Sequence, residues 1–235
     1  MKTIGFIIIL LPVCVLFSCN TEPKIADTNL MTLFDISDRV NNLPSAIDLL
    51  MPFDLKNNPH QGIRFEASTI NDRDYNNTTV LTLPKEDAWQ SNSAIRKIAI
   101  QNFTTQLQSC INKIGQTDTT SYSVIFRTVV DHASKLAASK SKKKILLVYS
   151  NLYENSDINF YKAETQQQLH DSPKALIERL DKEAKIPSLK NIEIWLIYTP
   201  SSYKDNNHYS PIAKLYKAIL EVHGAVVHID TEFQP

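Results

Sequence analysis

Residues 29–39 read N-L-M-T-L-F-D-I-S-D-R, an apolar run that stops abruptly in a polar cluster. The run from Leu30 to Phe34 is typical of a strand that is buried on both faces of a sheet. The carboxylate of Asp35 and the hydroxyl of Ser37 follow it directly. In an open parallel sheet, ligands bind beside the carboxyl ends of the strands. This stretch therefore predicts a central strand and a binding crevice at its end.

The rest of the chain alternates strand patterns with helix patterns. Five further strands are expected at residues 62–70, 78–83, 145–149, 192–198 and 225–229, where apolar residues alternate or run together. Helices are expected at residues 44–51, 93–114 and 121–139, followed by two that open at Ser172-Pro173 and Ser210-Pro211. A polar loop at residues 71–77 joins the second and third strands, so these two strands are expected to be antiparallel.

This order of elements predicts an α/β fold. We expect a single doubly wound, mostly parallel six-stranded sheet with helices on both faces, similar to a Rossmann fold. Short, right-handed connections favour the strand order 3-2-1-4-5-6, with strand 3 antiparallel. The chain direction reverses between strands 1 and 4, which places a crevice beside Asp35, Ser37 and Asn151.

The first residues have the pattern of a secretory signal. Lys2 precedes an almost wholly apolar stretch at residues 4–17, which is too short to span a bilayer comfortably. The sequence Leu16-Phe17-Ser18-Cys19 resembles a bacterial lipobox of the Bacteroidetes type, in which the cysteine carries acyl chains such as palmitate. The resemblance implies a signal peptide at residues 1–18, a lipidated Cys19 and tether at residues 19–29, and one domain at residues 30–235.

Two alternatives to this N-terminus stay open. The apolar stretch could remain uncleaved as an anchor helix, or Cys14 could be the lipidated residue, although Val13 before it is not small. In a chain processed at Cys19, Cys110 is the one remaining thiol, so no disulfide can form within the molecule. Cys110 lies on a helical apolar face and is expected to be a small buried hydrophobe.

The charge balance excludes one class of function. The chain has 25 basic and 25 acidic side chains, so there is no basic excess to attract nucleic acid. Lysines at residues 140 and 142–144 are expected to form a solvated helix end, with contact to anionic lipid as the alternative. The six histidines are scattered, and no zinc cluster, P-loop or nucleophile elbow is present. The remaining candidate site is the crevice at the carboxyl edge of the sheet.

Three loops are expected to converge at the crevice, and each carries polar side chains. They contribute, in chain order, Asp35 and Ser37; Thr117, Thr119 and Thr120; and Ser150, Asn151 and Glu154. The topology together with Asp35-x-Ser37 resembles a von Willebrand factor type A domain, whose first motif is D-x-S-x-S, over roughly residues 29–231.

The resemblance implies a degenerate metal-ion-dependent adhesion site. Its four positions would be Asp35, Ser37, Thr120 and Asn151, holding Mg²⁺ or another divalent cation. Thr119 is the alternative to Thr120, because the spacing from the following helix allows either.

Two departures from the family pattern weaken cation binding. Arg39 replaces the second serine of the motif, and Asn151 replaces an aspartate, so the site loses negative charge that Mg²⁺ prefers. In the alternative interpretation, Ser37 and Thr120 cap turns, while Asp35 accepts backbone hydrogen bonds or pairs with Arg39.

The function expected from these features is a membrane-anchored, non-catalytic lipoprotein of the cell envelope with a von Willebrand A-like domain. It would bind a protein partner at the crevice. Asn20 after Cys19 does not resemble the aspartate signal for inner-membrane retention, which favours the outer membrane. The alternative function is a metal-dependent hydrolase or phosphatase that uses Asp35. Haloacid-dehalogenase-like phosphatases require D-x-D at this position, and Ser37 breaks that motif.

Overall fold

The computed structural model describes residues 26–37, 43–70, 76–119 and 122–235. Its elements are β1 (Thr28–Asp35), α1 (Ala46–Leu50), a 3-10 turn (Met51–Phe53), β2 (Ile63–Ile70), β3 (Thr78–Leu83), α2 (Ser93–Gly115), α3 (Ile125–Ala137), β4 (Lys143–Tyr149), α4 (Ala163–Asp171), α5 (Pro173–Ala184), β5 (Glu193–Ile197), α6 (Tyr203–Val222) and β6 (Val226–Asp230). The predicted signal peptide and the lipidation site Cys19 lie outside the described residues. Among the helices that are described, none is both long enough and apolar enough to cross a membrane.

The six strands form one sheet in the order β3-β2-β1-β4-β5-β6. β1 pairs in parallel with both β2 and β4, and β5 and β6 continue the parallel arrangement. β3 pairs antiparallel with β2 and is mostly exposed, as expected for an edge strand. The predicted fold class, strand order and antiparallel third strand are confirmed.

Apolar cores cover both faces of the sheet. α1 and α2 pack on one face, and α3, α5 and α6 pack on the other. Successive residues of β4 alternate between them, so that Leu146 faces one core and Leu147 faces the other, and both are 0% exposed. This double burial explains why the strand is a continuous apolar run.

Two helices begin at residues that differ from the prediction. α3 begins at Ile125 and not at Ser121, because Ser123 exchanges backbone hydrogen bonds of 3.3 and 3.2 Å with Asn155 and is held extended. α6 begins at Tyr203, so Pro211 lies inside the helix instead of opening it. The cap is Ser202, whose hydroxyl accepts the N–H of Asp205 at 3.1 Å.

The prediction also missed one helix and misplaced one proline. α4 was not predicted, because it buries no residue and therefore has no apolar stripe. Pro44 was expected in the first turn of α1, but it lies outside the helix, before the N-cap Ser45. Ser45 and Asp48 form a capping box at this helix start.

The long helix α2 agrees with its predicted bounds to within one residue, but two details differ. A glycine after the apolar pattern predicts a left-handed cap at Gly115, but Gly115 is the last helical residue. A Cβ there would lie 3.0 Å from Cδ1 of Leu43. The spacing of Ile95 and Ile98 in the sequence predicts that they lie on the apolar stripe of this helix, but they are 63% and 55% exposed. Cys110 is buried on this helix, as predicted.

Candidate functional site

The predicted crevice lies where the carboxyl ends of β1 and β4 meet. The two strands pair with Phe34 opposite Tyr149, so Asp35 and Ser150 leave the sheet side by side. The hydroxyl of Ser150 donates a hydrogen bond of 2.6 Å to Oδ2 of Asp35. Asp35 is 2% exposed and Ser150 is 0% exposed. The structure thus joins the first and third predicted loops through one buried, charge-assisted hydrogen bond.

The other oxygen of Asp35 is used by its own loop. Oδ1 accepts the backbone N–H of Ser37 at 3.0 Å and the hydroxyl of Ser37 at 2.6 Å. An aspartate that accepts the N–H two residues onward stabilises a turn by mimicking the backbone. Both carboxylate oxygens of Asp35 therefore accept hydrogen bonds from the protein.

Side chains also close the turn after β4. The N–H of Leu152 donates to Oγ of Ser150, and the N–H of Tyr153 donates to Oδ1 of Asn151, both at 2.8 Å. Leu152 has a φ of 61°, a left-handed conformation that costs a residue with a Cβ roughly 1–2 kcal/mol. Its side chain is 0% exposed, and this burial offsets the strain. Asn151, the predicted ligand, thus uses its side-chain oxygen to shape the turn.

The threonine loop is described only in part. Thr117 is exposed, and its hydroxyl donates at 3.2 Å to the carbonyl of Lys113 at the end of α2. Thr119 is also exposed. Thr120, the preferred threonine, and Arg39, the residue that replaces the second serine, both lie outside the described residues.

The donor set of the crevice can be compared with what a divalent cation requires. Mg²⁺ takes near-octahedral oxygen ligands, usually with one or two carboxylates. Asp35 is the carboxylate among the predicted ligands, and its oxygens already accept three hydrogen bonds, while the amide oxygen of Asn151 accepts another. The second buried carboxyl group of these loops, Glu154, accepts hydrogen bonds from Phe126, Ser156 and Tyr216. Within the described parts of the chain, no three His, Cys, Asp or Glu side chains are grouped to hold a metal ion. The described donors are thus already engaged by the protein, and the predicted cation site at Asp35, Ser37, Thr120 and Asn151 stays a prediction.

Glu154 was assigned to the third loop, and its role in the structure is to hold a helix start. The residue is 3% exposed, and its Oε2 accepts the N–H of Phe126 and the hydroxyl of Tyr216, each at 2.9 Å. Ser156 donates to Oε1. Phe126 lies in the first turn of α3, whose N-cap Val124 provides no side-chain cap, so Glu154 supplies this cap from a distant loop.

The environment of Glu154 favours its protonated form. Burial is the main cause that raises its pKa above the ordinary value of 4.5, although its three hydrogen-bond donors act in the opposite direction. Burial and the proximity of Glu154 and Asp35 also raise the pKa of Tyr216 well above its ordinary value. Tyr216 is therefore hydrogen-bonded to one buried carboxyl group of the crevice and lies near enough to the other to feel its charge. Sequence spacing could not reveal this, because α6 is distant from both loops along the chain.

A small cavity adjoins Glu154. It lies between the start of α3 and the end of α5 and has a volume of about 100 Å³. Val124, Phe126, Ile158 and Leu180 form much of its wall. The volume matches one small side chain or a few water molecules, and the hydrogen bonds of Glu154 are already satisfied by the protein.

Exposed tyrosine side chains lie in the loops and helix starts at the crevice edge of the sheet. Tyr122, Tyr161 and Tyr203 are 43%, 54% and 81% exposed, and they precede α3, precede α4 and begin α6. Tyr153 packs edge-on against Tyr161 with 5.1 Å between ring centroids, and burial raises its pKa to about 12. His208 lies 5.8 Å from the Tyr153 ring. We call Tyr122, Tyr161 and Tyr203 the tyrosine rim.

Comparisons with known proteins give the following result. No family model matches the chain, and no curated protein is similar to it in sequence. Among solved structures, the chain is similar to an aerotolerance-related membrane protein from Bacteroides fragilis NCTC 9343 that carries multiple mutations to serines. The TM-score is 0.31 at 8% identity, over 86% of this chain and 92% of that chain. A TM-score this low does not relate the functional sites of the two proteins.

Proposed function

We propose that this protein is a lipid-anchored, non-catalytic module of the bacterial cell envelope, with a von Willebrand A-like domain that binds a protein partner at the tyrosine rim. The anchor is Cys19, in the sequence Leu16-Phe17-Ser18-Cys19. The outer membrane is the favoured location, because Asn20 follows the cysteine.

The observation that carries this proposal is the contrast between the centre of the crevice and its rim. At the centre, Asp35 is buried, and its oxygens accept hydrogen bonds from Ser37 and Ser150. A carboxylate held in this way fixes the loops and is poorly placed to attack a substrate. This supports a non-catalytic role.

At the rim, by contrast, three tyrosines present large and partly apolar side chains to solvent. Tyrosine is enriched in protein–protein interfaces, because it contributes contact area and a hydrogen bond at a small entropic cost. Rigid loops beneath the rim would reduce the entropy lost on binding. The rim, not a bound cation, therefore provides the binding energy in this proposal.

Site-specific photo-crosslinking in cells tests the proposal. A photoreactive phenylalanine analogue is placed at Tyr161, at Tyr203 and, as a control, at Val222. Val222 is 79% exposed and is the last residue of α6, at the opposite end of the helix from Tyr203. We expect one adduct of constant mass from both rim positions and none from the control.

The interaction should also depend on the third rim residue. Tyr122→Ser should reduce the adduct at Tyr203, because the variant removes contact area from the rim. Equal crosslinking at Val222, or no adduct at either rim position, would contradict the proposal. An acyl-free mature chain, measured by intact mass, would contradict the anchor alone.

A further inference from the structure

The edge of the sheet opposite the crevice has features that the binding function does not use. We call it the amino edge, because the parallel strands begin there. The carbonyl of Asp27, directly before β1, accepts the N–H groups of Lys142 and Lys143 at 3.1 and 3.0 Å. The chain between the lipidation site and the domain therefore enters the fold at this edge, beside the start of β4.

The amino edge carries concentrated positive charge. Four of the residues from 140 to 144 are lysines, and they lie before and in the start of β4. Lys140 and Lys142 are exposed. Within the described residues, neither forms an ion pair. The ammonium groups of these two lysines are therefore available to an anionic surface.

Two of the acids on this edge are already engaged. Asp27 pairs with Lys85 at 2.7 Å, and Glu86 pairs with Arg96 at 3.4 Å. Against the opposing effect of burial, hydrogen bonds from Lys85 and Gly62 and the charges of Lys85 and Lys142 hold the pKa of Asp27 below its ordinary value. These carboxylates have closer cationic partners in Lys85 and Arg96, and the charge of Lys142 acts on Asp27 only as a smaller addition.

Exposed apolar side chains accompany the charge. Trp89 is 83% exposed, the most exposed of the large hydrophobic side chains described. It lies in the turn after β3, whose last residue pairs with the first residue of β2 at this same edge. Ile95 and Ile98, 63% and 55% exposed, follow in the first two turns of α2. Trp is enriched at membrane–water interfaces, where an amphipathic ring lies at headgroup depth.

A buried arginine makes this edge rigid. Arg96 is 1% exposed and donates hydrogen bonds to the backbone carbonyls of Pro59, Gln61 and Pro84. It thereby joins the loop before β2, the loop after β3 and the start of α2. Trp89 and the two isoleucines are thus presented from a fixed surface and not from separate loops.

We propose that the amino edge lies on an anionic phospholipid surface, with Trp89 in the headgroup region and Lys140 and Lys142 beside lipid phosphates. The proposal rests on the lipid anchor of the proposed function. Residues 20–26 reach at most about 25 Å when extended, so an acyl chain at Cys19 keeps this edge close to the bilayer. Clustered lysines near an anionic bilayer attract it, and an exposed tryptophan adds apolar contact.

The two tryptophans of the chain allow a direct test. Trp195 is 4% exposed in the core, so a change of emission on membrane contact reports on Trp89. The acylated chain is reconstituted in vesicles that carry a nitroxide quencher at headgroup depth. One set contains phosphatidylglycerol and the other contains phosphatidylcholine alone. We expect stronger quenching and a blue shift in the anionic vesicles, and neither effect in Trp89→Phe.

Reversing the charge of Lys140 and Lys142 distinguishes contact of the amino edge with lipid from attachment through the acyl chain alone. The acylated variant Lys140→Glu/Lys142→Glu should lose the anionic-specific quenching. In its acyl-free form, binding to anionic vesicles should fall by at least roughly tenfold. The control Lys162→Glu/Lys204→Glu has the same net charge but alters exposed lysines before α4 and at the start of α6, on the crevice side. This control should keep the quenching of the unaltered chain.

The experiments give different results if the edge proposal is wrong and if the anchor proposal is wrong. An acylated chain whose Trp89 emission is unquenched in anionic vesicles overturns the edge proposal and leaves the anchor intact. Equal losses in the two lysine variants also overturn it, because they indicate a nonspecific charge effect. A chain without acyl mass overturns the anchor, and flotation of that chain with anionic vesicles still measures the edge.

Discussion

Arg96→Met tests how the amino edge is held together. The guanidinium donates to three backbone carbonyls, those of Pro59, Gln61 and Pro84, and the residue is 1% exposed. Methionine preserves the length of the apolar stem but removes every donor. A buried carbonyl left unpaired costs about 1–3 kcal/mol, and water can reach part of this edge once the loops separate. We therefore expect a loss of about 3–5 kcal/mol in the free energy of unfolding, measured by urea denaturation.

Two further variants make the result specific. Lys97→Met changes the exposed neighbouring residue and should alter stability by less than about 0.5 kcal/mol. Arg96→Lys keeps the charge but cannot reproduce the planar set of donors, so its stability should lie between those of Arg96→Met and the unaltered chain. A loss below about 1 kcal/mol in Arg96→Met would refute the reasoning, since it would show that the three loops hold their positions without the arginine.

Three other outcomes are expected. Leu147→Ala should lower the free energy of unfolding, measured in urea, by about 2–5 kcal/mol, because Leu147 is 0% exposed in the central strand β4. A loss below about 0.5 kcal/mol would contradict that position. Burial raises the pKa of Glu154, so the stability that this group contributes is present below its ordinary pKa and is lost as the pH rises through the raised value. Glu154→Gln should therefore show a smaller fall in stability as the pH rises above the ordinary pKa of the carboxyl group, and an unchanged slope would show that the group is ionised throughout. In chelator, Asn151→Asp should melt at a lower temperature than the unaltered chain, because a second carboxylate beside Asp35 repels the first. Mg²⁺ or Mn²⁺ should restore the stability by binding both carboxylates. No response to cation in calorimetry would rule out a latent metal site.

The sheet could be predicted because its signals are local. β1, β4 and β5 are continuous apolar runs, and short right-handed connections leave few possible strand orders. The helix starts were less predictable, since a Ser-Pro pair has the same appearance at the true start of α5 and in the middle of α6. The true start of α6 depends on Ser202, whose capping bond to the N–H of Asp205 is visible only in the fold.

The candidate site was predictable in position but not in its chemistry. Asp35, Ser37 and Ser150 come together because parallel strands end at one edge, which the strand order already implies. The capping role of Glu154 and the burial of Arg96 depend on partners from loops distant in sequence. A charged residue within a helical pattern is usually solvated, so no local pattern distinguishes Arg96 from its exposed neighbours.

The central position of β1 has a consequence for how the chain folds. Asp35 and Ser150 are 115 residues apart, so the first strand to be synthesised gains its second neighbour only after β4 has appeared. Pairings between such distant residues form slowly, because a long loop must close before the contacts stabilise it. On the export route proposed for this chain, this delay would keep the early strands from completing the sheet before β4 emerges. The position of β1 therefore sets the time of folding as well as the location of the crevice.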